Sequence, residues 1–410
     1  MTWSFWMAWL VVSAGHAKLL AISENYLHSL RLPRPTLRRI RAVYDVLFFG
    51  VPVWFLCSHR PLLGDISDSS WWQHLSAGWR GWIAWGGAGA FALAFSALRH
   101  LTRRPPACLA DKASRVIDVA ARTGQSLIGP GRASVLARLP RNQQFTLEIN
   151  VKTFHLSRLP ASWDGLTIVH FSDLHFRGTV ARRYFEEVVH EAQALQGDLL
   201  AFTGDLLDST ACLDWIPATL GRLSAPLGCY FVLGNHDWYL PVLADIRSTL
   251  RDHGWVDLAG EVVEIRGAEL PSSRFEDGNG RLARSARPPL VLAGNELPWM
   301  GTAPDLSRAA PQAFRILLSH SPDQIDWARR HGVDLMLAGH THGGQIQLPV
   351  LGPVYSPSRY SCRYAAGEFW RPPTLLHVSR GISGREPIRY RCRPELTKLV
   401  LRGRAGDSRP

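Results

Sequence analysis

Three long apolar stretches open the chain, and short apolar runs alternate with amphipathic segments in the remainder. The stretches extend from Trp3 to Ile22, from Val43 to Cys57 and from Trp79 to Leu98. A helix needs about 20 residues to cross a hydrocarbon layer of roughly 30 Å. The first and third stretches therefore predict membrane-spanning helices, whereas the second is shorter and contains Pro52. A buried or interfacial helix remains the alternative for one or two of them, because His16 and Lys18 are costly inside a bilayer.

The charges between these stretches predict their orientation. The connection after the second stretch is close to neutral, whereas the other two are rich in arginine. The arginines are Arg31, Arg34, Arg38, Arg39 and Arg41 after the first stretch and Arg99, Arg103, Arg104 and Arg115 after the third. Positively charged connections favour the cytoplasmic side of a membrane. We therefore predict three crossings of the inner (cytoplasmic) membrane, with the amino terminus outside and the large carboxyl-terminal region in the cytoplasm.

A polar, arginine-rich segment follows the apolar stretches. Within it, Ser114 to Arg122 has a helix-like pattern. Further along, Ser272 to Pro288 is rich in Gly, Arg, Ser and Pro, which predicts a surface loop. We divide the chain into a membrane region of up to three transmembrane helices at 1–104, a basic connector at 105–145, a folded domain at 146–403 and a tail at 404–410.

The pattern changes at Phe145, where short β-branched runs begin to alternate with helical segments such as Ala181 to Leu195. Buried strands are typically short continuous apolar runs. The runs are Thr167 to Phe171, Leu199 to Phe202, Tyr230 to Leu233, Arg315 to Leu318 and Leu335 to Leu337. Strands that alternate with helices predict an α/β domain.

The chain is basic, with 46 Lys and Arg residues against 34 Asp and Glu residues and a net charge of +12. This charge fits either nucleic acid or an anionic lipid surface. The chain lacks an aromatic- and glycine-rich nucleic-acid signature, so we expect membrane lipid as a partner and no nucleic acid. The six cysteines are scattered without Cys-x-x-Cys spacing, which argues against a zinc ribbon or a disulfide scaffold.

Polar side chains of the kind that bind metals follow five of the predicted strands. They lie in Ser172-Asp173-Leu174-His175, Thr203-Gly204-Asp205, Gly234-Asn235-His236-Asp237, Ser319-His320 and Gly339-His340-Thr341-His342. A single Asp-x-His or Gly-Asp is more often a turn or a cap than a ligand pair. All five in this order are hard to produce by chance. They predict a site at the carboxyl edge of the sheet, where α/β folds bind ligands.

The series Asp-x-His, Gly-Asp, Gly-Asn-His-Asp, His and Gly-His-x-His resembles the calcineurin-like metallophosphoesterase superfamily, over roughly residues 147–402. The later segments Gly343-Gly344-Gln345, Leu348-Pro349 and Ser379-Arg380-Gly381 are similar to its membrane-associated bacterial branch. That branch includes phosphodiesterases and hydrolases of UDP-2,3-diacylglucosamine in lipid A biosynthesis. The resemblance implies an α/β fold of two facing β-sheets flanked by helices, after the amino-terminal transmembrane region.

The resemblance also implies a centre of two divalent metal ions in a metal-dependent phosphoric ester hydrolase. Asp205 is expected to bridge the two ions. One ion is expected to bind Asp173, His175 and His342 as well, and the other Asn235, His320 and His340. A mixed nitrogen and oxygen ligand set suits manganese, iron or zinc. A water between the ions is the expected nucleophile.

His236 is expected to act on the phosphate rather than on the metals. By resemblance, it stabilises developing charge or protonates the leaving oxygen. Asp237 is adjacent and is expected to orient the imidazole, with helix capping as the alternative. His170 is expected to be structural, and His377 is expected to be a surface or packed imidazole. Arg380 either contacts an anionic substrate or is a surface arginine.

The leading hypothesis is a phosphodiesterase or pyrophosphatase that acts at the membrane on an amphiphilic, lipid-linked substrate such as UDP-2,3-diacylglucosamine. Soluble nucleotides and phosphoproteins are the alternative substrates within the same fold. A non-catalytic membrane scaffold is a more remote alternative, because such a protein is expected to have lost a ligand or His236. A nucleic-acid phosphodiesterase fits the charge but not the three apolar stretches.

Overall fold

A computed structural model describes residues 3–58, 70–266 and 288–403. The chain divides into two compact units. The first comprises residues 1–104 together with 347–362, and the second comprises residues 105–346 together with 363–410. The expected tail at 404–410 and most of the expected loop from Ser272 to Pro288 lie outside the described residues.

The first unit is built on helices. They are α1 (Trp3–His28), α2 (Arg34–Ser58), α3 (Ser70–His74) and α4 (Ala77–Leu101). Three of them, α1, α2 and α4, are long and apolar enough to cross a membrane by length and composition. Helices α1 and α4 pack closely, because a Cβ atom on Gly15 would lie 1.8 Å from the carbonyl oxygen of Gly86. The three apolar stretches therefore form the expected helices, and the small residues of α4 permit a close helix contact.

The second unit contains two mixed β-sheets. The seven-stranded sheet has the order β1-β2-β15-β3-β4-β5-β6, and the six-stranded sheet has the order β13-β14-β10-β9-β8-β7. The first sheet's strands are β1 (Leu109–Asp118), β2 (Thr146–His155), β3 (Thr167–Phe171), β4 (Leu199–Thr203), β5 (Cys229–Val232), β6 (Trp255–Asp257) and β15 (Glu395–Arg402). The second sheet's strands are β7 (Val262–Ile265), β8 (Leu290–Asn295), β9 (Phe314–Ser319), β10 (Leu335–Ala338), β13 (Gly367–Arg371) and β14 (Thr374–Val378).

Helices α5 (Val119–Thr123), α6 (Arg182–Ala194), α7 (Asn235–Trp238), α8 (Leu243–Asp252) and α9 (Ile325–Arg330) belong to the same unit. Apolar side chains of both sheets, among them Ile168, Leu199, Ile316 and Leu335, form one buried cluster. A second cluster holds α6 and α8 against the seven-stranded sheet. Two sheets flanked by helices are the expected sandwich.

The expected helix-like stretch from Ser114 to Arg122 is wrong for most of its length. Strand β1 occupies residues up to Asp118, and only the short helix α5 follows it. Strand β1 pairs antiparallel with β2 along its whole length. Its side chains are largely exposed on both faces of the strand. The sequence therefore shows no alternation of apolar and polar residues that would identify a strand. The pairing with β2 therefore determines its conformation.

Candidate metal centre

Five parallel strands carry the predicted ligands to one edge of the sandwich. Strands β3, β4 and β5 are parallel neighbours in one sheet, and β9 and β10 are parallel neighbours in the other. Asp173 and His175 follow β3, Asp205 follows β4, Asn235 and His236 follow β5, His320 follows β9, and His340 and His342 follow β10. The carboxyl ends of parallel strands meet at one edge, which is where α/β folds bind ligands. The structure therefore brings all seven predicted ligands and His236 together.

One group of side chains gathers around the Nε2 atoms of His175 and His342, which lie 3.2 Å apart. A carboxylate oxygen of Asp173 lies 3.5 Å from the His342 nitrogen, and one of Asp205 lies 3.6 Å from the His175 nitrogen. These four side chains can present one ligand atom each, all within 4.8 Å of one another. They are a candidate coordination site of two carboxylates and two imidazoles.

A second group shares Asp205 with the first. The Asp205 oxygen that faces His175 also lies 3.3 Å from Nε2 of His320. The same His320 nitrogen lies 3.1 Å from Nδ1 of His340 and 3.1 Å from the side-chain oxygen of Asn235. Asp205 therefore lies between two sets of ligand-type atoms, the arrangement that a bridging carboxylate requires.

Backbone carbonyls determine how two of these imidazoles face the site. Nδ1 of His342 lies 3.0 Å from the carbonyl oxygen of Ser383, and Nδ1 of His320 lies 2.7 Å from that of Thr203. A carbonyl only accepts, so each Nδ1 carries the hydrogen and donates it. Nε2 of each ring, which faces the other ligands, is then the nitrogen that can bind a metal ion. Converging lone pairs and carboxylates fit divalent cations such as manganese, iron or zinc.

Five of the predicted ligands have a left-handed backbone. The φ angles are 56° at Asp173, 48° at His175, 57° at Asp205, 71° at His340 and 51° at His342. Such conformations cost residues other than glycine about 1–3 kcal/mol each and concentrate at functional sites. The tight turns after the strands therefore hold these side chains inward at a cost in conformational energy.

Glycines in the motifs let the ligand loops approach one another. A Cβ atom on Gly234 would lie 2.2 Å from a carboxylate oxygen of Asp205. Gly204 has a φ angle of 91°, and a Cβ atom there would lie 2.8 Å from His320. Each side chain larger than hydrogen would displace a predicted ligand, which explains the glycine in Gly-Asp and Gly-Asn-His-Asp.

His236 lies beside the first group of ligands but contacts a carboxylate that the sequence did not suggest. Its backbone N–H donates to Asp205 at 2.8 Å, and its Nδ1 contacts Asp208. The other oxygen of Asp208 lies 3.0 Å from Nδ1 of His175. The His236 side chain remains 19% exposed, in contrast to the buried Asp208. Asp208 therefore fixes the orientation of two imidazoles at once.

Asp237 does not hold the His236 imidazole in this structure. Its carboxylate is fully buried and accepts the backbone N–H groups of Leu206, Leu207 and Gly234 at 2.9–3.0 Å. This is the capping alternative, in which an early carboxylate of α7 satisfies backbone donors. Asp237 joins the Asp205 loop to the His236 loop, and Asp208 makes the contact that we expected of Asp237. The spacing Asp205-x-x-Asp208 is the sequence signal that could have identified it.

The ionisable side chains of the cluster shift one another's pKa values. Burial alone would raise the pKa of Asp205, but the imidazoles of His320, His236 and His175 hold it well below its usual value. Burial would lower the pKa of His320, but Asp205 raises it to about 9. Burial lowers the pKa of His342 to about 4. Asp205 therefore stays ionised as a candidate ligand, and His342 stays neutral with a free lone pair.

The side chains expected to be structural make contacts inside the sandwich. His170 and His377 are fully buried, and their Nδ1 atoms lie 3.0 Å apart. Arg380 is largely buried and pairs with Glu148 and Glu395 at 3.0 and 3.2 Å, so it is not a surface arginine. Arg389 is fully buried and donates to the backbone carbonyls of Arg380, His342 and Ser383. Arg380 and Arg389 thus hold the loop that faces the ligands.

The comparisons with known proteins agree with this geometry. Residues 166–344 match the calcineurin-like phosphoesterase family. The metallophosphoesterase YkuE of Bacillus subtilis, itself uncharacterized, is 32% identical over 260 residues, which cover 62% of this chain and 86% of that relative. The chain belongs to the calcineurin-like phosphoesterase family. It is therefore a metal-dependent phosphoester hydrolase, and the family uses a dinuclear divalent metal centre, for which the Asp and His cluster provides ligands.

Two further relatives connect the family to membranes. A transmembrane protein with a metallophosphoesterase domain from Bos taurus is 33% identical over 259 residues, which cover 60% of this chain and 54% of that relative. The UDP-2,3-diacylglucosamine pyrophosphatase LpxG of Chlamydia muridarum is 26% identical over 280 residues, which cover 58% of this chain and 85% of that relative. The chain spans about half the length of the bovine protein. Together with the three apolar helices, these relatives indicate membrane association.

Proposed function

We propose that the chain hydrolyses a phosphodiester or pyrophosphate bond at two divalent metal ions held by the cluster. Asp205 would contact both ions. Asp173, His175 and His342 would hold one ion with it, and Asn235, His320 and His340 would hold the other. The observation that carries this proposal is the Asp205 oxygen that lies 3.6 Å from His175 and 3.3 Å from His320.

The ions, when bound, supply an activated water and neutralise charge on the phosphoryl oxygens. His236, in its imidazolium form, gives the Nε2 proton to the leaving oxygen and becomes neutral, while Nδ1 keeps its hydrogen on Asp208. Asp208 accepts the Nδ1 hydrogen of His236 and thereby fixes which nitrogen is available. Asp237 holds the Asp205 and His236 loops together through backbone N–H groups. His236 is the most exposed of these imidazoles, which leaves room for a substrate.

We propose an amphiphilic substrate, with UDP-2,3-diacylglucosamine as the specific candidate. Two observations support it: the chain has three apolar helices, and its relative LpxG is a pyrophosphatase of this lipid. Confinement to a membrane assists an enzyme only when the substrate is confined there as well. A soluble nucleotide or a phosphoprotein would gain nothing from these helices.

We propose that residues 1–104 form a three-helix membrane region in the inner membrane and that residues 146–403 form a cytoplasmic catalytic domain, after the basic segment 105–145. The arginine-rich connections after α1 and α4 support this orientation. Within the first unit, α1 and α4 pack through Gly15, Gly86 and Gly89, and His28 and His100 stand near their carboxyl ends. Both connections then leave the helices on one side of the membrane.

The reaction and the substrate are tested together. Full-length protein in nanodiscs, loaded with Mn²⁺, is incubated with bis(p-nitrophenyl) phosphate, UDP-2,3-diacylglucosamine, cyclic nucleotides and a phosphopeptide, and products are identified by mass spectrometry. We expect turnover of the first two and loss of turnover on chelation. His236→Ala should strongly reduce turnover of UDP-2,3-diacylglucosamine and should affect bis(p-nitrophenyl) phosphate, which has a good leaving group, less. Preference for the cyclic nucleotides or the phosphopeptide would contradict the lipid substrate. Turnover that survives complete metal removal would contradict the metal centre.

The orientation is tested separately by fusions after Arg104. We expect an alkaline phosphatase fusion to be inactive and a fluorescent protein fusion to be bright. An active phosphatase with a dark fluorescent protein would place the domain on the other side.

A further inference from the structure

The segment 347–358, here called the apolar hairpin, begins with a β-hairpin at 347–353 and contains no charged side chain. It belongs to the same compact unit as the three apolar helices. Strands β11 (Gln347–Leu348) and β12 (Gly352–Pro353) pair antiparallel. At its tip, Leu348 is 43% exposed and Val350 is 61% exposed. Contiguous exposed apolar side chains on a folded surface mark an interaction site.

The tip is held in an unfavourable conformation. Val350 has a φ angle of 68°, which β-branched residues avoid and in which glycine or asparagine is usual. A valine there costs backbone energy and exposes an apolar side chain. Neither feature stabilises the hairpin itself, so both point to a contact outside the chain.

The apolar hairpin and the residues just after it are fixed to the carboxyl-terminal ends of two of the apolar helices. Asn25 of α1 is fully buried, accepts the backbone N–H of Ser356 at 3.0 Å and donates to the Ser361 hydroxyl at 3.0 Å. Gly352 lies against His100 of α4, where a Cβ atom would approach the imidazole to 2.7 Å. Helix ends of this length coincide with the boundary between hydrocarbon and headgroups. The attachment therefore holds the tip at that boundary.

The side chains around the hairpin suit a lipid headgroup region. The His28 and Tyr355 rings meet edge to face, and the Arg359 guanidinium lies over the Tyr360 ring at 4.9 Å. Tyrosine is enriched at membrane interfaces, and arginine attracts anionic lipid. Arg38 and Arg39 at the start of α2 are exposed in the same unit. An apolar tip beside aromatic and cationic groups matches an interfacial membrane anchor.

We propose that the apolar hairpin inserts its tip into the lipid surface and recruits lipid-borne phosphoester substrates to the metal centre. Leu348 follows the predicted ligand His342 by only six residues along the chain. The partner is the bilayer itself, with its anionic headgroups and upper acyl chains. The recruitment part rests on the function proposed above, whereas insertion of the tip does not.

Insertion is tested with a fluorescent label. Cys57 is the one exposed cysteine of the six. Cys57→Ser combined with Val350→Cys is labelled with a nitrobenzoxadiazole dye in nanodiscs of phosphatidylcholine and phosphatidylglycerol. We expect blue-shifted emission that lipids brominated near the headgroup quench. The matched control is Val256→Cys on edge strand β6, where the valine that is replaced is exposed. The emission of a label at this position should be quenched by aqueous iodide instead. A Val350 label that behaves like the Val256 label would overturn the proposal.

Recruitment is tested by kinetics. Leu348→Asp combined with Val350→Asp should raise KM for a phosphodiester embedded in vesicles about tenfold or more, since burial of one such side chain is worth about that factor. Turnover of soluble bis(p-nitrophenyl) phosphate should be unchanged, as it should for the control Val256→Asp. An unchanged KM on vesicles would overturn recruitment. If even the unaltered protein turns over no phosphodiester, the proposed function fails, and the label still decides whether the tip inserts.

Discussion

Two buried polar clusters lie in the described part of the same sandwich, and one of them contains the predicted metal ligands. The inner cluster connects Lys152, Glu395, His377 and His170. Lys152 contacts Glu395 at 2.7 Å and His377 at 3.1 Å, and His170 reaches the Thr203 hydroxyl at 2.9 Å. The rim cluster contains the predicted ligands. Both clusters are buried, and both combine imidazoles with carboxylates.

The two clusters differ in the group that balances the negative charge of their carboxylates. In the inner cluster, burial would lower the pKa of Lys152, but Glu395 and Glu368 raise it, so the ammonium group balances the carboxylates. Burial lowers the pKa of His377 to about 3, and the ring is neutral. At the rim, the Nε2 atoms of His175 and His342 instead lie 3.2 Å apart, beside the carboxylates of Asp173 and Asp205. We propose that bound divalent cations balance these rim carboxylates, whereas the Lys152 ammonium balances those of the inner cluster.

Removal of the shared carboxylate should have the largest effect on turnover. Asp205→Asn takes away the one group that both ligand sets contact. We expect turnover of bis(p-nitrophenyl) phosphate to fall below detection in manganese-loaded protein. The control is thermal unfolding of the variant followed by circular dichroism, which should show that the protein is still folded. Appreciable turnover by this variant would contradict a bridging role.

Loss of the acid should be the next largest effect. His236→Ala should lower kcat by about 10²–10⁴-fold, the usual contribution of general acid catalysis, and leave the bound metal unchanged. An activated ester with a good leaving group should be less affected, because its leaving oxygen needs no proton. Equal losses on good and poor leaving groups would argue against the acid role.

Asp208→Asn should have an intermediate effect. It removes the carboxylate that orients both His175 and His236, and such supporting residues typically contribute about 10–100-fold in activity or metal affinity. Asp237→Asn is the informative comparison, because Asp237 contacts only backbone N–H groups of the described residues. We expect Asp237→Asn to lower the melting temperature, and Asp208→Asn to change the pH profile of kcat. A pH profile unchanged in Asp208→Asn would contradict its contact with the acid.

The smallest effect on turnover should come from the inner cluster. Lys152→Met leaves the Glu395 and Glu368 carboxylates buried without their cation and should destabilise the fold by about 3–5 kcal/mol. The control Lys398→Met removes an ammonium that bonds to the Leu195 carbonyl, and should cost about 1 kcal/mol. Urea unfolding measures both. Folded Lys152→Met should bind metal normally, and loss of metal would place Lys152 in the site.

The sequence could predict which side chains the structure brings together, because the motifs carry their own spacing. Each predicted strand ended in ligand-type residues, and the family resemblance supplied their grouping. The three apolar helices were predictable from length and composition alone. These features depend on local pattern, which a single sequence contains.

Other features depend on contacts that the sequence does not show. Strand β1 is defined by its pairing with β2, and its exposed side chains gave no strand signal. Asp208, and not the expected Asp237, contacts Nδ1 of His236, because the geometry of the loops determines which carboxylate reaches that nitrogen. The left-handed backbone at Asp173 and His342 is likewise imposed by the turns.

The most direct test of the two-metal centre is a count of bound metal. Full-length protein reconstituted with Mn²⁺, freed of excess metal and measured by inductively coupled plasma mass spectrometry, should contain two ions per chain. Asp205→Asn should lose most of this metal, whereas His236→Ala and Lys152→Met should retain it. A single ion per chain, or full occupancy in Asp205→Asn, would contradict the bridged centre.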